Sequence, residues 1–165
     1  MTDFSQKNSL KIALVGNPNS GKSTIFNALT GLSQKVANFP GVTVEKRTGF
    51  FNLENKLSGQ KISTEIIDLP GCYSLYPKSI DERIPFQVLC DPDDESHPDL
   101  VIVVADASNL KRSLFLSSQI IDLKIPVVLT LNMTDLAEKK GLKIDINRLS
   151  EKLGITVIPM NARRK

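Results

Sequence analysis

The chain has 165 residues, of which 41% are hydrophobic, and its 21 basic and 18 acidic residues give a formal net charge of +3. This length suits one globular domain with a single core. The small, mixed charge does not indicate nucleic-acid or membrane-surface binding. The apolar stretches are far shorter than the roughly 20 residues of a membrane-spanning helix. Two cysteines without metal-ligand spacing predict a reducing compartment such as the cytosol.

Short β-branched segments alternate with helical patterns along the chain, beginning at residue 10. The polar segment 1–9 shows neither helical nor strand periodicity, and we expect a mobile tail there. We interpret residues 10–165 as one domain. Strands are predicted at residues 10–15, 47–53, 61–67, 100–105, 126–131 and 155–158. Helices are predicted at residues 22–30, 111–123 and 146–153.

The arrangement of these elements predicts an α/β fold. Uninterrupted apolar runs at 100–105 and 126–131 favour strands that are buried on both faces, as in a parallel sheet. The strand at 47–53 leaves no room for a crossover helix before 61–67, so these two should form an antiparallel hairpin. We therefore expect a mostly parallel six-stranded sheet with one antiparallel strand and helices on both faces.

A phosphate-binding loop is predicted between the first strand and the first helix. The segment from Gly16 to Ser23 fits the pattern G-x-x-x-x-G-K-[ST] in that context. Backbone N–H groups and the helix N-terminus would face the phosphates, Lys22 would add a positive charge, and Ser23 would bind Mg²⁺. A glycine-rich turn without a ligand is the alternative. The candidate residues are Gly16, Asn17, Pro18, Asn19, Ser20, Gly21, Lys22, Ser23 and Thr24.

Two further segments are candidates for the phosphate and metal site. Asp68 directly follows a predicted strand, where its carboxylate could hold Mg²⁺ through water, and Gly71 could place its N–H on the terminal phosphate. The Thr43 hydroxyl could close on Mg²⁺ from the loop after the first helix. A plain Pro-Gly turn and an ordinary loop threonine are the alternatives. The first segment comprises Asp68, Leu69, Pro70 and Gly71.

The sequence N-M-T-D, from Asn132 to Asp135, follows the strand at 126–131 and is a candidate base-selecting segment. Asp135 could accept hydrogen bonds from the N1–H and the exocyclic amine of guanine, a donor pair that adenine lacks. A helix N-cap is the alternative role of Asp135. The segment Asn161, Ala162 and Arg163 follows the last strand and could place the Ala162 N–H on the guanine oxygen.

Two other features favour structural interpretations. Cys72 lies where many hydrolytic P-loop proteins carry a water-orienting glutamine, and a thiol suits that task poorly, so it could be a small packing residue. The segment 91–99 gathers carboxylates around the single histidine, His97. Its prolines and consecutive charges favour a solvated connection between a helix and a buried strand over a metal site.

Specific segments give the chain a family resemblance. N-F-P-G-V-T-V-E begins at Asn38, D-L-P-G-C-Y-S-L begins at Asp68, and N-M-T-D begins at Asn132. With the phosphate loop, they resemble the N-terminal G domain of FeoB, a family of bacterial ferrous-iron transporters, over residues 10–163. The resemblance implies a Ras-like P-loop NTPase fold with GTP or GDP and Mg²⁺ as ligands.

The resemblance also implies a slow GTPase switch on the cytoplasmic side of the inner membrane. The switch would be coupled to Fe²⁺ uptake through helical regulatory and membrane-channel domains outside this chain. Asn19 would bind K⁺ beside the phosphates, and the loop before Thr43, at Gly41 and Val42, would complete the K⁺ shell. K⁺ would then replace an arginine finger and stimulate hydrolysis. Iron is not expected to bind here.

The chain stops at Lys165, where the family would continue into a helix, so we expect that helix to be missing and interpret the chain as a fragment. Self-association stays open. An RNA- or ribosome-associated GTPase is one alternative, but it predicts a basic, aromatic surface, whereas aromatic residues make up 5% of the chain. We expect no nucleic-acid partner and no membrane insertion. A nucleotide sensor without hydrolysis is the other alternative, which Cys72 permits.

Overall fold

The computed structural model describes residues 9–54 and 59–162. Its strands form a single sheet in the order β2-β3-β4-β1-β5-β6-β7. The strands are β1 (Ser9–Gly16), β2 (Gln34–Asn38), β3 (Glu45–Glu54), β4 (Lys61–Asp68), β5 (Leu100–Asp106), β6 (Val127–Asn132) and β7 (Thr156–Pro159). The helices are α1 (Lys22–Thr30), α2 (Ile80–Cys90), α3 (Leu110–Asp122), α4 (Thr134–Lys139) and α5 (Ile146–Leu153).

The sheet confirms the predicted α/β class. Strand β3 is antiparallel to both of its neighbours, and the other pairs are parallel. The sheet has one strand more than the six predicted, because β2 pairs with β3 at the sheet edge. Four of the five residues of β2 are exposed, so the strand has no apolar alternation by which the sequence could reveal it.

Helices cover both faces of the sheet, as predicted. On one face, a core cluster that includes Val103, Leu116 and Leu129 is covered by α2, α3 and α5. On the other face, α1 packs through Ile25 and Phe26 against the apolar residues of β1 and β4. These side chains are at most 3% exposed, which makes the sheet a rigid support for the loops at its ends.

Most helix boundaries agree with the sequence patterns. Helices α1 and α5 begin and end at the predicted residues, and α3 lies one residue earlier. Strand β1 begins at Ser9, one residue before the predicted start, and residues 1–8 lie outside the described residues. The patterns imply a helix before residue 91 but give it no bounds; this helix is α2, which contains Pro85 and begins with a Ser79 cap on the Glu82 N–H.

The carboxyl ends of four parallel strands meet at one edge of the sheet. Gly16, Asp68, Asp106 and Asn132 end β1, β4, β5 and β6 there. In open α/β sheets, ligands bind in the crevice outside this edge. Among the helices of the described ranges, none has the length and apolar character needed to cross a lipid bilayer.

Candidate nucleotide site

A cavity of about 690 Å³ lies at the carboxyl edge of the sheet. It is formed by the loop between β1 and α1, by Gly71, by the β6–α4 connection and by the residues after β7. Its lining residues are Asn17, Pro18, Asn19, Gly21, Lys22, Ser23, Thr24, Gly71, Asn132, Met133, Asp135, Leu136, Lys139, Asn161 and Ala162. The structure thus brings the predicted phosphate segment and the predicted base segments into one site.

The phosphate loop has the backbone geometry that its glycines predict. Asn19 and Gly21 have φ angles of 64° and 88°, in the left-handed region. The Ser20 N–H donates to the Asn17 carbonyl at 3.1 Å and closes the turn. A Cβ at Gly21 would lie 2.1 Å from the Asn132 Nδ2, so no side chain fits at that position. The loop therefore keeps the first N–H groups of α1 open to the cavity.

Asn132 joins the phosphate loop to the segment that follows β7. Its side chain is buried, its Nδ2 donates to the Ser20 carbonyl at 2.9 Å, and its Oδ1 accepts from the Ala162 N–H at 3.0 Å. The sequence assigns Asn132 to base recognition, but the carboxamide is engaged with protein groups on both sides. We call this group of three residues, Ser20, Asn132 and Ala162, the base-side bridge.

Asp135 lies half-buried in the first turn of α4 and lines the cavity. Met133 precedes the helix with a φ of 61°, which turns the chain from β6 into α4. Leu136 and Lys139 also line the cavity, and the sequence interpretation did not include them. Helical spacing could have identified Lys139 as a lining residue, because it follows Asp135 by one helical turn.

Lys22 and Asp68 form an ion pair between their side chains, which are 12% and 8% exposed. Lys22 lines the cavity, as does Ser23 one residue later, whereas Asp68 contacts the site through Lys22. The predicted phosphate ligand and the predicted Mg²⁺ ligand are thus adjacent, with opposite charges neutralising each other. Hydroxyl and carboxylate oxygens at Ser23 and Asp68 are donors that suit Mg²⁺.

Gly71 lies close to the phosphate loop and lines the cavity, whereas Leu69 is fully buried and packs in the core. A Cβ at Gly71 would lie 3.1 Å from the Pro18 nitrogen. The Cys72 N–H donates to the Gly16 carbonyl at 3.2 Å. The segment after β4 therefore rests directly on the start of the phosphate loop.

Thr43 is not brought to the cavity. Gly41, Val42 and Thr43 line a separate surface pocket together with Ile80 of α2. The cause is Phe39, which is 4% exposed and belongs to the same core cluster as the apolar face of α2. In this conformation, Thr43 therefore does not line the cavity that Lys22 and Ser23 line.

Comparisons with known proteins identify the family. A family profile described as "Ferrous iron transport protein B" matches residues 10–165. A "Fe(2+) transporter FeoB" of Shigella flexneri is 44% identical over 155 residues, which cover 94% of this chain and 19% of that protein. The chain belongs to the FeoB family. It spans about 19% of the length of the curated relatives that it matches.

Solved FeoB structures share the fold. The G domain of T. maritima FeoB matches with a TM-score of 0.80 and 42% identity, covering 93% of this chain and 88% of that one. The cytosolic domain of T. maritima FeoB in a GMPPNP form matches with a TM-score of 0.82 and 44% identity, covering 94% and 57%. The described chain therefore corresponds to a FeoB G domain.

Cys72 of this FeoB chain is a buried core residue with no exposed surface. The pKa of its thiol is raised to about 12, mainly by burial and to a smaller extent by the carboxylate of Glu82, against an opposing effect of Lys22. The thiol is therefore neutral at physiological pH. Neither its position nor its protonation suits it to orient a water in this conformation.

The loop after Cys72 is held by α3. The Arg112 guanidinium lies 3.9 Å from the centre of the Tyr73 ring, and the Leu75 N–H donates to Gln119 Oε1 at 2.9 Å. Cation–π contacts of this kind contribute about 0.5–1 kcal/mol at exposed sites. Sequence patterns do not reveal the roles of Arg112 and Gln119, because neither residue lies in a recognisable motif.

The remaining candidates lie at the borders of the site. Asn161 lines the cavity, and Arg163 lies outside the described residues. The segment 91–99 connects α2 to β5, as predicted. His97 Nδ1 lies 3.1 Å from the Val88 carbonyl, and the Ser96 hydroxyl accepts from Lys46 Nζ at 2.7 Å. These contacts give the segment a packing role.

Proposed function

We propose that this chain binds GTP and slowly hydrolyses it to GDP and phosphate, as the switch domain of a ferrous-iron transporter. The observation that carries the proposal is the single cavity that joins the phosphate loop to Asp135. Membership of the FeoB family supports it, and so does the GMPPNP form of the T. maritima relative, since that ligand is a guanine nucleotide.

Base selection is assigned to Asp135, with Asn161 and Ala162 closing the cavity beside it. A carboxylate accepts from the guanine N1–H and amine, and each such bond contributes about 1.5–3 kcal/mol. Asp135→Asn should weaken GTP binding and relax selection toward xanthosine nucleotides. Glu138→Gln, on the same helix but outside the cavity lining, is the matched control. Unchanged GTP affinity in Asp135→Asn would contradict guanine selection.

Phosphate binding is assigned to Lys22 and to the N–H groups that open α1. Ser23 and Asp68 would hold Mg²⁺, which supplies charge neutralisation between the phosphates. Thr43 and Gly71 would reach the terminal phosphate only after their segments move, which is the behaviour of a switch. Thr43→Ala should therefore slow hydrolysis while leaving GDP affinity within about twofold.

Hydrolysis is assigned to a cation-assisted mechanism, because Cys72 replaces the usual glutamine. Asn19 has an exposed side chain at the mouth of the cavity, where its amide oxygen is a suitable K⁺ ligand. Gly41 and Val42 would add carbonyl groups when their segment closes. Phosphate release should be faster in K⁺ than in Na⁺, and Asn19→Ala should remove the difference. Release at the buffer rate under saturating GTP would instead favour a non-hydrolysing sensor.

Membership of the FeoB family supports a proposal for the role of the whole protein. We infer that the nucleotide state is relayed to helical and membrane parts of the transporter on the cytoplasmic side of the bacterial inner membrane. Fe²⁺ flux into vesicles that carry the full-length transporter should depend on GTP. With Asp135→Asn, the flux should respond to xanthosine triphosphate instead. Sedimentation with each nucleotide would test self-association of this chain.

A further inference from the structure

Asn17 is a buried polar residue whose side chain has no partner. It is 6% exposed, and neither its Nδ2 nor its Oδ1 makes a hydrogen bond within the described residues. Nearly all buried polar groups in native proteins are hydrogen-bonded. An unsatisfied buried group costs about 1–3 kcal/mol. The protein groups of this conformation therefore leave the carboxamide without a hydrogen-bond partner.

Asn17 lies at the start of the phosphate loop, directly after the last residue of β1. It lines the nucleotide cavity, and so does Gly71. Leu69 and Cys72, on either side of Pro70 and Gly71, belong to the buried core cluster that α2 and α3 cover. Asn17 and the segment that follows β4 thus border the same cavity.

The segment 71–73 contacts both neighbours of Asn17 and is a candidate partner for its carboxamide. The Cys72 N–H donates to the carbonyl of Gly16, the residue before Asn17. Gly71 approaches Pro18, the residue after it, so closely that a Cβ would lie 3.1 Å from the Pro18 nitrogen. Residues 16–18 and 71–73 are therefore in backbone contact on both sides of the unpaired carboxamide.

We propose that Asn17 is a positioning residue that fixes the Gly71 segment in the GTP-bound state. When this segment moves to the terminal phosphate, the Asn17 carboxamide bonds main-chain groups of residues 71–73 and holds the Gly71 N–H in place. The bond is made with GTP and absent with GDP. This inference rests on the proposed GTPase function, and it gives the protein a polar link where Cys72 supplies none.

The first experiment compares nucleotide affinities of Asn17→Ala, Asn17→Asp and the unaltered chain. Losing one hydrogen bond made only with GTP should weaken GMPPNP binding about 5–10-fold and slow hydrolysis similarly, with GDP affinity within about twofold. Asn17→Asp keeps the hydrogen-bond acceptors and loses the donors. Its GMPPNP affinity and hydrolysis rate should therefore lie between those of Asn17→Ala and the unaltered chain. Asn52→Ala, exposed at the far end of β3, is the control.

The stability of the Asn17→Ala variant gives an independent test of the proposal. Because the carboxamide is unpaired in the nucleotide-free chain, Asn17→Ala should leave the midpoint of urea unfolding unchanged or raise it. A carboxamide that merely holds an internal water in every state would instead give a lower midpoint and equal losses for GDP and GMPPNP. Either of those results, or unchanged GMPPNP affinity, overturns the proposal.

A spectroscopic measurement on the unaltered chain keeps the test valid if the variants fail to fold. The side-chain NH₂ resonances of Asn17 should shift and exchange more slowly with GMPPNP than with GDP. Identical resonances with the two nucleotides would overturn the positioning role. Failure of the unaltered chain to bind GMPPNP at all would contradict the proposed function itself, so the two failures are distinguishable.

Discussion

The base side and the switch side of the cavity are built by different interactions. On the base side, Asn132 bonds the Ser20 carbonyl and the Ala162 N–H, so the phosphate loop and the base loops are joined without a ligand. On the switch side, Thr43 lies away from the cavity, and burial of Phe39 against the α2 cluster holds its loop there. Recognition is therefore preorganised, whereas the groups assigned to the terminal phosphate are not.

The largest expected effect comes from removing the apolar anchor on the switch side. Phe39→Ala should lower the free energy of unfolding by about 3 kcal/mol, because a buried aromatic ring leaves a cavity in the cluster. Folded Phe39→Ala protein should keep its GDP affinity, since Phe39 does not line the nucleotide cavity. Urea unfolding and GDP titration measure both quantities. Phe115→Ala, at an exposed position, is the control. Equal stability losses in the two variants would contradict the anchoring role of Phe39.

Removing the base-side bridge should affect both nucleotides alike. Asn132→Ala leaves the Ser20 carbonyl and the Ala162 N–H without their partner, which should lower stability by about 2 kcal/mol. The affinities for GDP and GMPPNP should fall together, each by about tenfold, because the bridge does not depend on the third phosphate. Asn147→Ala, exposed on α5, is the control. A loss confined to GMPPNP would show that Asn132 belongs to the switch side instead.

A smaller effect is expected at Lys46, which supports the switch anchor from β3. Its Nζ donates to the buried Ser96 hydroxyl at 2.7 Å and lies 5.8 Å from the centre of the Phe39 ring. Lys46→Ala should lower stability by about 1 kcal/mol, because one hydrogen bond and one cation–π contact are lost. Lys46→Met keeps the aliphatic stem and should recover part of the loss. Thermal unfolding of the two variants measures the difference.

Near neutral pH, the smallest effect is expected at Cys72, because its contribution changes only at high pH. Because burial raises the pKa of its thiol from 9.0 to about 12, the folded chain holds this proton more tightly than the unfolded chain. The resulting contribution to stability is fully present below pH 9 and is lost as the pH rises toward 12. Unfolding of the unaltered chain and of Cys72→Ala should therefore differ in pH dependence only above pH 9.

Thiol labelling tests the same burial more directly. At pH 8, a thiol reagent should label Cys90, which is partly exposed, before Cys72, which is fully buried. Equal labelling rates under native conditions would mean that the Gly71 segment opens freely.

The sequence predicted the interior of the fold better than its edge. Strands β5 and β6 consist mostly of apolar residues that are buried or partly buried, so their apolar runs were sufficient to assign them. Strand β2 has four exposed residues out of five and acquires its conformation from pairing with β3, which local patterns do not encode. The bounds of helix α2 were not assigned, because Pro85 interrupts an otherwise helical segment.

The candidate site likewise contains parts that the sequence predicted and parts that it did not. Its phosphate loop is one continuous segment with fixed spacing, so the sequence predicted its place between β1 and α1. The base-side bridge joins residues 112 and 30 positions apart, and only the folded sheet brings them together. The position of Thr43 depends on the packing of Phe39 against α2, a helix whose bounds the patterns did not assign, so its place outside the cavity could not be derived.

The ion pair between Lys22 and Asp68 has a thermodynamic consequence for ligand binding. A phosphate group that takes the lysine leaves the carboxylate without its cation, and a metal ion that takes the carboxylate releases the lysine. Bound nucleotide thus raises the affinity for the metal ion, and by linkage the bound metal ion raises the affinity for the nucleotide by the same factor. We expect nucleotide and Mg²⁺ to bind with positive cooperativity, even before any loop moves.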